Sequence, residues 1–324
     1  MISVALCTYN GEKYLYEQLK SILNQTLPPD EIVICDDCST DKTVEVIKDV
    51  FGNHKWNGSL KLFINQNNLG FRKNFEKAIG LCTGDIIFLC DQDDVWNLNK
   101  IEMIIGVFTS HTEAVLVFHD AEVVDENLKL LYPSFWGLMQ FDYRRFCELE
   151  NAYLGYQNFV QGTACAFRRE LFEFAMPFPQ DAYHDEWLAL VAVQYGKIIP
   201  YPVCLLKYRQ SSNNAIGADA SSIFCKIYKW TYDYKRRKEG RKKSLKRRLS
   251  VMDAYMQRYL NKKVLSDNEI FFMNSYSLAK KRTVCIWERD FFLIKYLPLY
   301  FKAIPFKSLT CLKAFILDYV SIVL

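Results

Sequence analysis

Membrane spans, nucleotide fingerprints and paired cysteine clusters are all missing from this sequence, and each absence removes a class of protein. No stretch reaches the about eighteen uninterrupted apolar residues that a membrane-spanning helix needs. The first apolar run, Ile2 to Leu6, is short, has no basic leading region and passes into a polar loop. No secretory signal is therefore expected, and the chain reads as cytoplasmic. Neither the GxGxxG dinucleotide fingerprint nor the Walker phosphate loop occurs, which argues against an NAD-type or P-loop enzyme. The eleven cysteines are odd in number and scattered, and Cys7, Cys35, Cys90 and Cys165 lie inside apolar runs, as reduced core thiols do. Cys35-Asp36-Asp37-Cys38 has CxxC spacing but lacks the second pair of a zinc site and the helix start of a redox motif. Repeats and low-complexity segments are absent too.

What is present is a chain of 324 residues, enough for one large domain and a smaller appendage. Its net charge of +4 conceals an asymmetry. Residues 1–225 hold 18 Lys/Arg against 29 Asp/Glu, a net of −11, whereas residues 226–324 hold 23 against 8, a net of +15. An acidic body suits a site for cations, and a basic tail suits a phosphate-bearing or anionic surface. The expected division is residues 1–217 and residues 218–324.

The first half alternates strand and helix patterns. Ile2–Cys7, Glu31–Cys35, Leu60–Ile64, Ile86–Cys90 and Ala114–His119 read as strands. Between them, Glu12–Asn24, Asp41–Asp49, Phe71–Leu81 and Asn99–Thr109 carry helical spacing. Such alternation means βαβ units and a mostly parallel, doubly wound sheet. Residues 120–183 are less regular, with a strand expected at Gly162–Arg168. A helix at Asp185–Tyr195 and two short strands, Lys197–Tyr201 and Val203–Tyr208, follow.

Residues 84–96 put Asp91, Asp93 and Asp94 directly after an apolar run, at the carboxyl edge of the expected sheet, where ligands of open α/β proteins collect. Three acidic groups within four residues repel one another unless a cation is near, and oxygen ligands suit Mg²⁺ or Mn²⁺. The alternative is a solvated acidic turn in which Asp93 or Asp94 caps a helix from Val95 onward. Cys7-Thr8-Tyr9-Asn10-Gly11 and Asp36-Asp37-Cys38-Ser39-Thr40-Asp41 end the first two strands on the same edge. A carboxylate there can accept from a base N–H or from ribose hydroxyls; for Asp41 the solvated, helix-capping reading is the stronger one.

Taken in order, Thr8-Tyr9-Asn10, Asp36-Asp37-x-Ser39-x-Asp41, Asn67-Asn68-Leu69-Gly70 with Asn74, Gly84-Asp85 and Asp91-Gln92-Asp93-Asp94-x-Trp96 resemble the inverting family 2 glycosyltransferases of the GT-A fold, over about residues 1–215. The last segment is similar to bacterial rhamnosyltransferase-like members. The resemblance implies an α/β GT-A architecture, a Rossmann-like doubly wound mixed sheet with a C-terminal helical extension. It also implies transfer of a sugar, rhamnose among the candidates, from a dTDP- or UDP-sugar donor to a hydroxyl of a cell-surface polysaccharide precursor. Asp37 would then hydrogen-bond the pyrimidine base and Thr8 and Tyr9 would line its pocket, with Asn10, Asp36, Asn68 and Asn74 completing the nucleotide side. Asp91 and Asp93 match the motif that holds ribose, metal and diphosphate, with Asp93 the first choice for direct contact to Mg²⁺ or Mn²⁺. Asp94 and Trp96 would face sugar or acceptor, Trp96 being alternatively a core anchor.

Tyr183-His184-Asp185-Glu186-Trp187 resembles the family's catalytic-base motif, with Asp185 in the base position. Its alternative is an acidic first turn that only complements a helix dipole. Tyr208-Arg209-Gln210-Ser211-Ser212-Asn213-Asn214 resembles the late segment that closes over the diphosphate through Arg209 and Gln210, but Ser211 stands where that pattern carries His. Phe159-Val160-Gln161-Gly162-Thr163 resembles an acceptor-side segment. Two rival readings are a GT-A-like nucleotidyltransferase and a non-catalytic glycan-binding or scaffold protein of polysaccharide assembly.

In the tail, residues 226–248 carry twelve Lys/Arg interleaved with Tyr228, Trp230, Tyr232 and Tyr234. That pattern suits peripheral contact with the inner face of the cell membrane, where a lipid-linked saccharide acceptor would reside. A helix packed on its aromatic stripe is the alternative, and nucleic acid is not an expected partner. The aromatic residues from Trp287 to Phe315, spaced among lysines, suit an interfacial surface or a homodimer contact.

Overall fold

A computed structural model describes residues 1–148, 158–210 and 234–260, with residue 154 and residues 270, 272–274, 276–278 and 280–281. The chain forms two compact units, one of residues 1–143, 159–178 and 183–220, the other of residues 144–158, 179–182 and 221–324. The boundary expected at residue 217, Ser211, and the aromatic residues 228–232 and 287–315 lie outside the described residues.

The first unit is built on a mixed sheet. Strands β1 (Ile2–Thr8), β2 (Glu31–Asp36), β3 (Ser59–Ile64) and β4 (Ile86–Cys90) are parallel, in the spatial order β3-β2-β1-β4. Val4, Leu6, Ile32, Ile34, Ile87 and Phe88 are almost or wholly inaccessible, as expected of strands covered on both faces. The crossovers are helices α1 (Leu15–Leu23), α2 (Thr43–Asn53) and α3 (Phe71–Leu81). Each buries one stripe at helical spacing: Leu15, Leu19 and Ile22 on α1, Ile47 and Val50 on α2, Phe75, Ala78 and Ile79 on α3. Each fully buried Leu or Ile contributes about 1.5–3 kcal/mol.

Beyond β4 the sheet becomes mixed, with β5 (Val95–Trp96), β6 (Ala114–Val124), β7 (Leu130–Tyr132), β8 (Cys165–Arg168) and β9 (Lys197–Arg209). The order continues β4-β8-β6-β9-β5, and β7 pairs with β6. Helices α4 (Lys100–Ser110), α5 (Phe135–Met139), α6 (Tyr143–Glu148), α7 (Arg169–Ala175) and α8 (His184–Tyr195) follow in the chain, α6 falling almost wholly in the second unit. Three elements differ from the sequence expectation. β6 runs five residues past His119, because parallel pairing with β9 continues to Val124 through register shifts. The two strands expected at 197–208 are one bulged strand. Val95 and Trp96 form a two-residue strand, paired antiparallel to β9, where no strand was expected, and α4 then starts at Lys100, within one residue of the expected helix.

Register decides what meets at the functional edge. Thr8 lies opposite Asp36, and Cys90 opposite Leu6, so the loops after β1, β2 and β4 leave the sheet together. Because β8 runs antiparallel to β4, the turn Gly162–Ala164 that precedes β8 sits at that same edge. The antiparallel pairing of Val95 with Lys207 carries Arg209 to the level of Asp93.

In the second unit, α9 (Tyr234–Tyr259) buries Val251, Met252 and Tyr255. Tyr255 packs on Phe272 at 4.8 Å, Tyr276 donates to Asp253 at 2.6 Å, and Arg247 donates to the Asp181 carbonyl at 3.1 Å. Among the described residues no helix is long and apolar enough to cross a membrane.

Gly84, in the turn before β4, packs directly against the start of β1. A Cβ there would lie 2.8 Å from the Ser3 amide and 2.9 Å from the Met1 carbonyl, backbone atoms of a strand that cannot recoil freely. Gly84→Ala is expected to lower unfolding free energy by about 1–3 kcal/mol, the usual cost of overpacking, as read from urea denaturation. An unchanged midpoint would show that this turn is free to shift.

Candidate active site

The loops after β1 and β2 are locked together from within. Thr8 Oγ1 donates to Asp36 at 2.8 Å, and the Ser39 amide and hydroxyl also donate to that carboxylate. Asn10, in the left-handed region at φ 48°, donates its amide to Ser39 Oγ and accepts from the Thr40 amide at 2.8 Å. Asp37 accepts from Asn65 Nδ2 at 2.8 Å and from the amides of Leu69 and Gly70 at 2.7 and 2.9 Å. Asn74 bridges the Cys35 carbonyl and Asn65, and Asn68 spans the Asp37 carbonyl and the Gly70 amide.

These placements revise the roles implied for several donor residues. Asp36 and Asn74 have essentially no exposed surface and serve the framework, and Asp37 is satisfied by the 65–70 loop. Tyr9, Asn10 and Asn68 are exposed at the edge, with Thr8 buried beneath them.

The acidic loop is tied to the first loop by Gln92, a residue the sequence reading passed over. Its side chain accepts from the Tyr9 amide at 2.8 Å and donates to the Tyr9 carbonyl at 3.1 Å, as another strand segment would. Asp91 and Asp93 are half-buried. Loss of water, then the charges of Asp94, Asp93 and Asp185, push the Asp91 carboxyl well above the usual range; loss of water also raises Asp93. Asp94 is fully buried, accepts from the Arg209 amide at 3.0 Å, and is pushed up to about 7, first by burial and then by Asp93. The neighbouring Thr163 hydroxyl and the Arg209 amide act in the opposite sense and favour its charged form.

Trp96 and Arg209 depart from the roles implied for them. Trp96 is 2 % exposed and packs on Phe88 at 6.0 Å, so the core-anchor reading holds and sugar contact does not. Arg209 is also 2 % exposed. Its Nε donates to the Asp93 carbonyl at 2.7 Å, its other nitrogens to the Glu126 carbonyl and the Glu17 carboxylate, and its guanidinium lies 4.4 Å from the Tyr14 ring. It is a clamp that joins β9 to the acidic loop and to α1. Gln210 follows it, with its amide donating to the Val124 carbonyl at 2.8 Å.

Asp185 stands in the first turn of α8, where its Oδ1 accepts from the Glu186 amide at 2.7 Å. Its charge helps to raise both the Asp91 carboxyl and the Cys165 thiol, so the first turn of α8 lies near the acidic loop. His184 beside it is buried and stacked on Phe75 at 4.0 Å; burial holds its pKa down near 3, so it is neutral at physiological pH. A Cβ on Gly162 would meet His184 Nε2 at 2.8 Å, which explains glycine in the turn before β8. Trp187 is fully buried and donates to the Ala175 carbonyl at 2.8 Å.

Beneath the acidic loop lies Lys100, which the sequence reading did not single out. Its Nζ donates to the Thr163 carbonyl at 2.6 Å and lies 3.7 Å from the Trp96 ring centroid, with no exposed surface. Burial lowers its pKa to about 7 against the raising effect of Cys90, Asp94 and other groups. Helical spacing did carry a signal, since Lys100, Ile104, Val107 and Phe108 share one buried stripe.

With that geometry in place, comparison with known proteins is decisive. The Glycosyl transferase family 2 profile matches residues 3–174. The chain belongs to that family. It is a glycosyltransferase, and its fold is GT-A. An uncharacterized glycosyltransferase of Nostoc sp. is 35% identical over 228 residues, 68% of each chain. The dTDP-rhamnosyl transferase RfbG of Shigella flexneri is 30% identical over 230 residues, 67% of this chain and 75% of the relative. Chondroitin synthase of Escherichia coli is 30% identical over 131 residues, but the match spans only 18% of that longer protein. Among solved structures, TarS of S. aureus with UDP-GlcNAc superposes with a TM-score of 0.61 at 17% identity, covering 93% of this chain and 81% of that one. The mannosyltransferase PcManGT of Pyrobaculum calidifontis, with GDP-Man and Mn²⁺, gives 0.54 at 16% identity, covering 99% and 85%.

Among the described residues of this family 2 glycosyltransferase, no group of three or more His, Cys, Asp or Glu side chains is arranged to hold a metal ion. The donor chemistry of Asp91 and Asp93 still fits a divalent cation. Both are oxygen ligands at the edge, and both are desolvated. A carboxyl with a raised pKa keeps its proton to higher pH and must release it to ligate a cation. Mn²⁺ affinity, measured by calorimetry, is therefore expected to rise with pH through the raised carboxyl range. Without metal the sign reverses for stability: the folded site holds protons that the unfolded chain has released, so stability falls as pH rises through the raised values. Affinity that is flat across this range would contradict the raised carboxyls.

Proposed function

We propose that this enzyme is an inverting glycosyltransferase that moves a sugar from a nucleoside diphosphate to a hydroxyl of a cell-surface polysaccharide precursor. The reading is supported by the Glycosyl transferase family 2 match over residues 3–174, together with an Asp185 charge near enough to help raise the Asp91 carboxyl. Single displacement requires a division of labour, with proton removal from the acceptor on one side and stabilisation of the departing diphosphate on the other.

Asp91 and Asp93 would hold Mg²⁺ or Mn²⁺, which when bound neutralises the charge that builds on the departing diphosphate. Complexes of a structural neighbour with GDP-Man and Mn²⁺ support this choice. Tyr9, Asn10 and Asn68 are the exposed edge residues placed to meet the nucleotide. A dTDP- or UDP-sugar donor is supported by RfbG, named a dTDP-rhamnosyl transferase, and by TarS in complex with UDP-GlcNAc; rhamnose is accordingly the first sugar to test. Asp185 would accept the acceptor's proton as the new C–O bond forms. Neighbouring His184, held neutral and buried against Phe75, fixes the first turn of α8 without titrating in the working range.

The acceptor would be a glycan or a lipid-linked saccharide. The net charge of +15 over residues 226–324 supports peripheral attachment to the inner face of the cell membrane, and a homodimer belongs to the same reading of the tail.

Asp185→Asn is expected to lower turnover with the true donor and acceptor by roughly 10²–10⁴-fold while leaving nucleoside-diphosphate affinity within about twofold. Asp93→Asn is expected to lose Mn²⁺ affinity as well as turnover. Release of the sugar with inverted anomeric configuration, read by NMR, checks the stereochemistry. Full turnover by Asp185→Asn, or a retained anomer, would refute the proposed mechanism.

A further inference from the structure

Lys100 is the one fully buried lysine of the described residues, and it lies against Trp96 just behind the acidic loop. Its ammonium is held in a specific cage. The Thr163 carbonyl accepts from it at 2.6 Å, and the face of Trp96 lies 3.7 Å away. Trp96 follows the acidic loop by two residues, and Thr163 stands beside Asp94 from the turn before β8. The Thr163 hydroxyl faces the buried Asp94 carboxylate and favours its charged form. Arg209, the other cation at this loop, gives its guanidinium to the Asp93 carbonyl, the Glu126 carbonyl and Glu17, so the Asp94 carboxylate receives only its backbone amide.

We propose that Lys100 is an internal counter-cation and positioning residue, which offsets the carboxylates of the acidic loop from below and pins the 162–164 turn to that loop before a divalent cation arrives. Burying an ammonium is unfavourable unless charge and hydrogen bonds compensate it, and here the compensation comes from Asp94 and Asp91 together with the Thr163 carbonyl and the Trp96 ring. One ammonium thereby connects α4, the loop after β4 and the turn before β8. The catalytic edge is assembled from segments of both parallel and antiparallel parts of the sheet, and Lys100 lies under their junction.

A buried pair and a mere space-filling side chain respond oppositely to replacement. Removing one member of a buried pair strands the other, whereas replacing both is nearly neutral. Lys100→Met keeps the length and volume of the side chain and deletes the charge. It is expected to lower the melting temperature at neutral pH by roughly 6–20 °C. The double variant Lys100→Met/Asp94→Asn is expected to recover at least half of that loss. Mn²⁺ is expected to raise the melting temperature of Lys100→Met by more than it raises that of the native protein, because the added cation replaces the missing one.

A single variant as stable as the native protein overturns the proposal, and so does a double variant no more stable than the single one, including the case in which neither folds. The thermal arm without metal is independent of the transferase reading. If Mn²⁺ shifts neither protein while the double variant recovers stability, the metal assignment of Asp91 and Asp93 fails and the role of Lys100 stands as counter-cation alone. Equal Mn²⁺ shifts in both proteins would overturn the claim that Lys100 stands in for the metal.

Discussion

Negative charge concentrated at the carboxyl end of β4 is the constraint that organises the first unit. Asp91, Asp93 and Asp94 emerge from a fully buried strand, so their desolvation has to be offset from nearby. The offset comes from three directions. Arg209 clamps the loop from β9, Lys100 supports it from below, and Gln92 ties it to the backbone of Tyr9. Each contact follows from strand register: the pairing of β5 with β9 delivers Arg209, and the antiparallel run of β8 delivers Thr163 to Lys100.

That arrangement separates framework from reactive surface. Buried polar residues of the edge, Asp36, Asp37, Asn74 and Arg209, spend their hydrogen bonds on holding loops, and the groups left half-buried are Asp91, Asp93 and Asp185. Rigid walls favour binding at such an edge, because loops ordered beforehand need no ordering when a ligand arrives.

Most of the architecture was legible in hydrophobic periodicity. The parallel strands β1 to β4 and helices α1 to α4 were expected within a few residues, since continuous apolar runs and stripes at helical spacing carry strong signals. What periodicity could not show was pairing. The extension of β6 to Val124 and the fusion of two short strands into β9 depend on each other through a long, bulged ladder, and the polar residues His119, Asp120 and Glu122 mask it in the sequence. The same limit applied at the site. Position and acidity pointed to Asp91, Asp93 and Asp185, whereas the pairing of Trp96 with Leu206 and the capture of Arg209 by Glu17 join residues more than a hundred positions apart. Lys100 was readable in principle, as a charge on a buried helical stripe, but only its neighbours across the sheet show what it does there.

The central claim is that the acidic loop and the first turn of α8 enclose one metal and nucleotide-diphosphate site. Anomalous diffraction at the manganese edge from crystals soaked with Mn²⁺ and UDP or dTDP addresses it most directly. A manganese peak in coordination contact with Asp91 or Asp93 and with the diphosphate, with Asp185 facing the vacant sugar position, is the expected result. A nucleotide bound elsewhere on the chain, or manganese that avoids both carboxylates while the nucleotide is in place, would contradict it.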